Sequence, residues 1–275
     1  MNSTSNSQMS KRQNLQQHWF YFRLALVFLT RIPIVIKEQV NDSDINHTSA
    51  YFGFVGFVLA AILAIVSWPL LLILPPEIVV ALSMAVSLML TGAFHEDGLA
   101  DTADGLGGGW TQEQKLNIMK DSRIGTYGSS ALIIVLLLKY QLLVSLINVG
   151  FIEFVVALFT SHSVSRVIAV SLIGALPYVQ LDQQSKTKPI AQELPSGAWR
   201  LLMCSLAIVG LILLFVLEVA ITHVLLSIGV ILALRLVFKK YMKSQLGGYT
   251  GDILGATQQV FEILVYVLLV VWLVG

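Results

Sequence analysis

Four aspartates and a glutamate crowd one short stretch of this sequence. Glu96, Asp97, Asp101 and Asp104 fall within Phe94-His95-Glu96-Asp97-Gly98-Leu99-Ala100-Asp101-Thr102-Ala103-Asp104-Gly105, and Asp121 follows soon after. On a helix, Asp97, Asp101 and Asp104 stand at i, i+4 and i+7, so all three face one direction. Like charges stacked this way destabilise a helix unless a cation neutralises them. A hard divalent ion is the natural neutraliser, and Mg2+ takes carboxylates together with waters and phosphate oxygens. The expected metal ligands are therefore Asp97, Asp101, Asp104 and Asp121, joined by Glu96. A lone His95 beside three aspartates does not make a zinc site; it is a candidate catalytic group instead. A solvated acidic face is the ordinary explanation for such a cluster. Here the acids begin within a turn of Phe94, where an apolar run ends, and charge without function is costly at that boundary.

The residues that follow suit phosphate chemistry. Gly105, Gly107, Gly108 and Gly109 allow the backbone to approach a ligand closely. Thr111 predicts an N-cap for a helix running to about Lys120. That helix delivers Asp121, Ser122 and Arg123 ahead of Gly125-Thr126-Tyr127-Gly128. Arg123 has the fork geometry to clamp a phosphate, although an interfacial arginine with its head in water is the plainer alternative. Ser161, His162, Ser165 and Arg166 interrupt a later apolar run. An arginine there must face the bundle interior and find a partner, either an aspartate or a substrate phosphate. Near the C-terminus, Leu246-Gly247-Gly248-Tyr249-Thr250-Gly251-Asp252 opens the last apolar run. A Gly-rich backbone entering a helix N-terminus can hold an anion, so Gly248, Thr250 and Asp252 are candidate substrate contacts. Asp252 could equally be a simple N-cap, or a general base.

The elements that must position these groups are membrane helices. Of the 275 residues, 56% are apolar and 12% charged, with a mean hydropathy of +0.79. A soluble domain carries about 25% charged residues, and this much apolar surface points to the bilayer as solvent. Seven runs are long enough to span: 50–74, 78–94, 130–149, 152–176, 201–219, 221–238 and 256–274. Lys139 interrupts the third, where snorkelling and internal pairing both remain open. An eighth run, 19–36, carries Arg23, Arg31 and Pro33 and reads as an interfacial or re-entrant helix. The fold expected is an all-α, polytopic transmembrane bundle forming one membrane-embedded domain over 18–275. The polar residues 1–17, without a secretory signal, are expected to be a disordered tail.

Basic residues set the expected orientation. The turns at 75–77, 150–152 and 220 have none, whereas the tail and the loops 95–129, 177–200 and 239–255 hold many. The positive-inside rule puts the N-terminus and the acidic loop in the cytoplasm and the C-terminus outside. Asn46 and His47, just before the first span, belong near the same face. Cys204 is the single cysteine and can form neither an internal disulfide nor a thiolate metal site. A net charge of +1 and the lack of a basic run exclude nucleic acid as a partner.

Three ordered motifs carry a resemblance that covers the chain from about residue 20 to its end. The acidic segment from Phe94 to Gly105, Met119-Lys120-Asp121-Ser122-Arg123-Ile124-Gly125-Thr126-Tyr127-Gly128, and Leu246-Gly247-Gly248-Tyr249-Thr250-Gly251-Asp252-Ile253-Leu254-Gly255-Ala256 resemble the landmarks of the cobalamin synthase family, adenosylcobinamide-GDP ribazoletransferase. Phe28-Leu29-Thr30-Arg31-Ile32-Pro33 is also typical of it, which adds Arg31 to the substrate-binding candidates. The resemblance implies Mg2+-dependent transfer of the cobinamide-phosphoryl group from adenosylcobinamide-GDP to α-ribazole or α-ribazole 5′-phosphate. The products would be adenosylcobalamin, or its 5′-phosphate, and GMP. It also implies the bacterial inner membrane, and leaves open self-association or a complex with other cobalamin-assembly enzymes. Under this reading the catalytic set is Asp101, Asp104, Asp121, Arg123 and His95. Arg166, Gly105, Arg31, Gly248, Thr250 and Asp252 would bind substrate.

Two other functions compete with this reading. Asp101-Thr102-Ala103-Asp104-Gly105 followed by Asp121 resembles part of the CDP-alcohol phosphotransferase motif, with Gly108-Gly109 in place of its Ala-Arg pair and Gly125 in place of its last aspartate. A cation-coupled transporter could use the acids as a pathway, but carriers place their sites near the midplane on broken helices. Asp101→Ala or Asp104→Ala is expected to abolish turnover while leaving membrane insertion intact.

Overall fold

The computed structural model describes residues 2–179, 191 and 193–275; the side chains of residues 1–13 and of Asp42 lie outside the described part. Among the described residues the regular structure is all helical, apart from one isolated parallel bridge between Tyr178 and Tyr249. Helix α1 (Asn2–Leu29) leads into a non-helical segment and then α2 (Asp42–Thr48). A 3-10 turn, Ser49–Tyr51, joins α2 to α3 (Phe52–Leu70). Pro75 then caps α4 (Pro76–Thr91), whose first helical residue is Pro76, where a missing amide proton costs nothing. The remaining helices are α5 (Phe94–Gly108), α6 (Gln112–Met119), α7 (Thr126–Val149), α8 (Phe151–Ile173), α9 (Ala198–Phe215), α10 (Ile221–Leu246) and α11 (Gly251–Leu273).

Six stretches are long and apolar enough to cross a membrane: 43–70, α7, α8, α9, α10 and α11. The pair α4 and α5 makes a seventh if it is one broken span, bent by 86°. The protein is thus a multi-pass, all-α membrane bundle. Span 78–94 is the one that needs correction: α4 alone has 16 residues and turns sharply at its end. That turn is made by Gly92 and Ala93, both left-handed, with φ of 65° and 56°. Glycine adopts this geometry freely; for Ala93 it costs roughly 1–2 kcal/mol, and the surrounding packing has to hold it there. α1 does not pass as a span. It ends at Leu29, and the chain continues non-helically through Arg31 and Pro33.

α8 is the centre of the bundle, buried along nearly its whole length. α3, α7, α9 and α11 surround it. In lipid the hydrophobic effect does not drive helices together, so close packing must, and the sequence supplies the small residues for it. A Cβ on Gly56 of α3 would collide with the backbone of His162 in α8. α10 stands at the periphery, with only Met242 and Leu246 buried. Arg235 ties it inward, donating to Ser171 Oγ at 2.6 Å and to Ser171 O at 2.8 Å.

Candidate functional site

The acidic helix α5 packs against the opening turns of α11 and α7. Its contact with α11 is glycine on glycine: a Cβ on Gly98 would stand 2.8 Å from the Asp252 carbonyl, and one on Gly255 would stand 3.2 Å from the His95 carbonyl. This close crossing brings Asp252 beside Asp97. The charges of Asp97, Asp252 and Asp104 all bear on Asp101. In front of α5 opens a groove of about 630 Å3, whose polar lining includes Thr30, Arg31, Glu96, Asp97, Asp101 and Ser122. Arg31 reaches it because its own amide donates to Leu90 O at 2.6 Å and its guanidinium lies over Gly92, where any Cβ would collide with it. The groove lining thus includes both carboxylates and a cation.

Asp104 does something else. Its two carboxylate oxygens accept the amides of Gly125 at 2.7 Å and Gly128 at 2.8 Å. It therefore caps the first turn of α7 from a neighbouring helix, where a negative charge also meets the helix dipole. A Cβ on Gly128 would stand 3.0 Å from the Asp104 carboxyl carbon and 2.8 Å from Ala100 O, so both backbones need that glycine. Asp121 is paired with Arg123, which donates from Nη2 at 2.6 Å and from Nε at 3.0 Å. The arginine holds this exposed carboxyl well down, to about 2, so Asp121 is ionised at any ordinary pH. Thr111 caps α6 as expected, accepting from the Gln114 amide at 3.2 Å.

Among the described residues, no three His, Cys, Asp or Glu side chains gather closely enough to hold a metal ion by themselves. Of the five expected ligands, the structure puts Asp97 and Asp101 together on the groove wall and adds Asp252 behind them. It gives Asp104 to α7 and Asp121 to Arg123. Mg2+ is commonly held by one or two carboxylates plus substrate phosphates and waters, so Asp97 and Asp101 fit that ion without a complete protein cage.

Glu96 also touches the groove, but its carboxylate Oε1 is engaged in a buried network that joins four helices. Lys139 of α7 lies 3.1 Å from Glu262 and 3.8 Å from Glu96, and donates to Gln259 at 2.9 Å. Gln259 in turn donates to Glu96 at 2.9 Å and to Gln258 at 2.8 Å. Gln258 donates to Glu262 at 2.5 Å and to Ser165 at 3.1 Å. Lys139 is thus paired internally. Glu262, Gln258 and Gln259 escaped the sequence reading; the signal was an acid alone in the last apolar run, opposite a lysine alone in the third.

Arg166 does not reach the groove. Its Nη1 donates to His162 O at 2.9 Å and lies 3.2 Å from His162 Nδ1, so its partner is a histidine and not an aspartate. With His95 it lines a separate small cavity. The third motif serves the backbone: Thr250 caps α11 by accepting from Ile253 N at 3.2 Å, so the cap is not Asp252. Tyr249 N donates to Pro177 O and Val179 N to Tyr249 O, both at 2.9 Å. A Cβ on Gly248 would collide with the Pro177 carbonyl, so this glycine closes the loop pairing. Gly105 packs α5 on α6, where a Cβ would stand 2.9 Å from Lys115 O.

The profile of the family described as Cobalamin-5-phosphate synthase matches residues 21–270. The chain is 45% identical to the adenosylcobinamide-GDP ribazoletransferase of Shewanella pealeana, over 94% of this chain and 98% of that protein. It is 44% identical to the protein of the same name from Shewanella oneidensis, over 96% of this chain and 98% of the relative. The Shewanella frigidimarina protein is 45% identical over 90% of this chain and 93% of its own length. No solved structure matches.

Proposed function

The chain belongs to the cobalamin-5-phosphate synthase family, and from that premise we propose that its acidic groove joins adenosylcobinamide-GDP to α-ribazole or its 5′-phosphate, releasing GMP. The chain is an enzyme with the activity of an adenosylcobinamide-GDP ribazoletransferase. The observation that carries the finer reading is that Asp97, Asp101 and Arg31 line one groove.

Asp97 and Asp101 would hold Mg2+. The ion would neutralise the charge that develops on the leaving phosphate. Asp121 is available as a third ligand, because the same loop places Ser122 and Ile124 on the groove wall and an exposed ion pair is given up cheaply. Arg31, in the same groove, binds the diphosphate, where a fixed cation stabilises the phosphoryl oxygens in the transition state. A ribose hydroxyl of the acceptor other than the 5′ one, free whether or not the 5′ position carries a phosphate, attacks the phosphorus nearer the cobinamide. The anhydride bond to GMP breaks, and the hydroxyl proton passes to Asp252, the carboxylate beside Asp97. His95, enclosed behind Phe94, is left out of the proton transfer.

The proposed setting is the bacterial inner membrane with the groove facing the cytoplasm, supported by the basic residues of the loops on that side. The test uses the full chain in lipid nanodiscs with Mg2+, α-ribazole and adenosylcobinamide-GDP. Release of GMP together with a corrinoid carrying the new nucleotide loop is the expected result. CMP release from a CDP-activated lipid, without GMP release, would overturn it in favour of the lipid phosphotransferase reading.

A further inference from the structure

The C-terminal end of α10 carries positive charge that no described neighbour neutralises. Arg235, Lys239 and Lys243 stand at i, i+4 and i+8, and Lys240 lies beside them, so the four cations share one side of the helix. Helix α10 contains no acidic residue. Among the described residues no carboxylate comes within ion-pair reach of any of the four. Arg235 spends Nε and Nη2 on the neutral oxygens of Ser171, while Lys240 and Lys243 are exposed. The helix end that carries them is fixed, and it lies on the groove side of the bundle. There Gln112 of α6 donates to Leu246 O at 2.8 Å, and Lys115 donates to Gln245 at 2.5 Å.

The same side of the helix turns apolar towards the middle of the span. Leu236 and Leu232, 53% and 50% exposed, lie about one and two turns deeper than the lysines. Gly229 follows, and a Cβ built there would meet nothing within 4 Å. The opposite side of α10 is taken by α11: Phe238 packs edge to face on Phe261, and Trp272 donates to Ser227 at 3.0 Å. From Lys240 to Gly229 the helix rises about 16 Å, close to half of a hydrocarbon core about 30 Å thick. Cations at one end of an open apolar trough one leaflet deep fit a lipid. A soluble partner could reach the lysines but not the trough.

We infer that this side of α10 is a seat for one anionic phospholipid, its phosphate held by Lys239, Lys240 and Lys243 and an acyl chain lying along Leu236, Leu232 and Gly229. Clustered basic side chains at the polar end of a span select anionic headgroups over neutral ones. Arg235, one turn deeper than Lys239, carries the positive field into the span. The seat is separate from the acidic groove, so it stands or falls independently of the reaction proposed there.

The test is native mass spectrometry of the full chain, released from detergent micelles that hold equal amounts of phosphatidylglycerol and phosphatidylcholine. Wild type is expected to retain one phosphatidylglycerol in preference, and the preference should weaken as salt is raised. Lys239→Gln, Lys240→Gln and Lys243→Gln together should lower that retention roughly ten-fold or more. The same three positions changed to Arg keep the charge and should retain the lipid as wild type does. Gly229→Phe fills the trough and leaves every charge in place, so it should also weaken retention. It carries the test should the triple Gln variant fail to insert. Equal retention of the two lipids by wild type, or an undiminished preference in the triple Gln variant, would overturn the inference and leave the lysines as charges in water. Displacement of the retained lipid by inorganic phosphate at the same concentration would overturn it too, in favour of a site for free phosphate.

Discussion

Lys139 Nζ stands 3.1 Å from Glu262 Oε1 and 3.8 Å from Glu96 Oε1, so one lysine in α7 holds α11 and the start of α5 to the same point. All three side chains are at least nine-tenths buried. A buried pair of this kind adds little over an apolar substitute, but breaking it leaves a charge stranded.

Lys139→Met is accordingly expected to destabilise the protein by about 3–5 kcal/mol. Adding Glu262→Gln to that variant should recover much of the loss, because one stranded carboxylate is then removed. Reversible denaturation of the two variants and the Glu262→Gln single variant in detergent measures the coupling. Additive losses would mean that the two groups do not act as a pair.

Asp104 and Asp101 should separate. Asp104→Ala gives up two charge-assisted bonds to the amides of Gly125 and Gly128 and should cost about 3 kcal/mol or more of stability. Asp104→Asn keeps one acceptor oxygen and should fall between. Asp101→Asn should leave the melting temperature in place and abolish turnover. A fully stable Asp104→Ala would show that α7 does not depend on this cap.

The exposed pair of Asp121 and Arg123 contributes little to the fold, so Asp121→Asn should melt as the wild type does while turnover falls sharply. Its carboxyl, held to about 2 by Arg123, lies below the unfolded value. Whatever small stability it adds is present above pH ~4 and fades as the pH drops towards 2. Turnover equal to wild type would restrict the metal ligands to Asp97 and Asp101.

Gly98→Ala tests the crossing of α5 and α11. The new methyl would stand 2.8 Å from the Asp252 carbonyl, and relieving that overlap should cost about 1–3 kcal/mol. The shift also moves Asp252 away from Asp97, so turnover should drop further than stability. Equal catalytic efficiency at a lowered melting temperature would remove Asp252 from the proton transfer.

Chelation should stop turnover, and Mg2+ should restore it. Zn2+, which favours nitrogen and sulfur ligands, should restore much less. Assaying the EDTA-treated protein with each ion in turn decides this, and full activity without any divalent ion would remove the metal reading.

The spans were legible because each is a run of apolar residues with a physical length to meet, and the capped α6 because Thr111 and Gln114 form a local signal. The acidic motif was legible as a site, but its internal division was not. Helical spacing put Asp97, Asp101 and Asp104 on one face. It could not show that α7 begins directly beneath Asp104 and takes that carboxylate for its own amides. The buried network was hidden for a related reason: Lys139 and Gln259 are 120 positions apart, and no local pattern pairs them. The left-handed corner at Ala93 was also unreadable, since an alanine there gives no sign of a turn.

The pairing of Lys139 with Glu262 also bears on how the chain is made. The lysine emerges from the ribosome in α7, after Glu96 of α5, and its closer carboxylate, Glu262, arrives only with α11. Until then the nascent protein holds a cation in lipid with half its counter-charge missing. A product truncated before α11 never acquires the other half, so its lysine stays under-compensated in the bilayer.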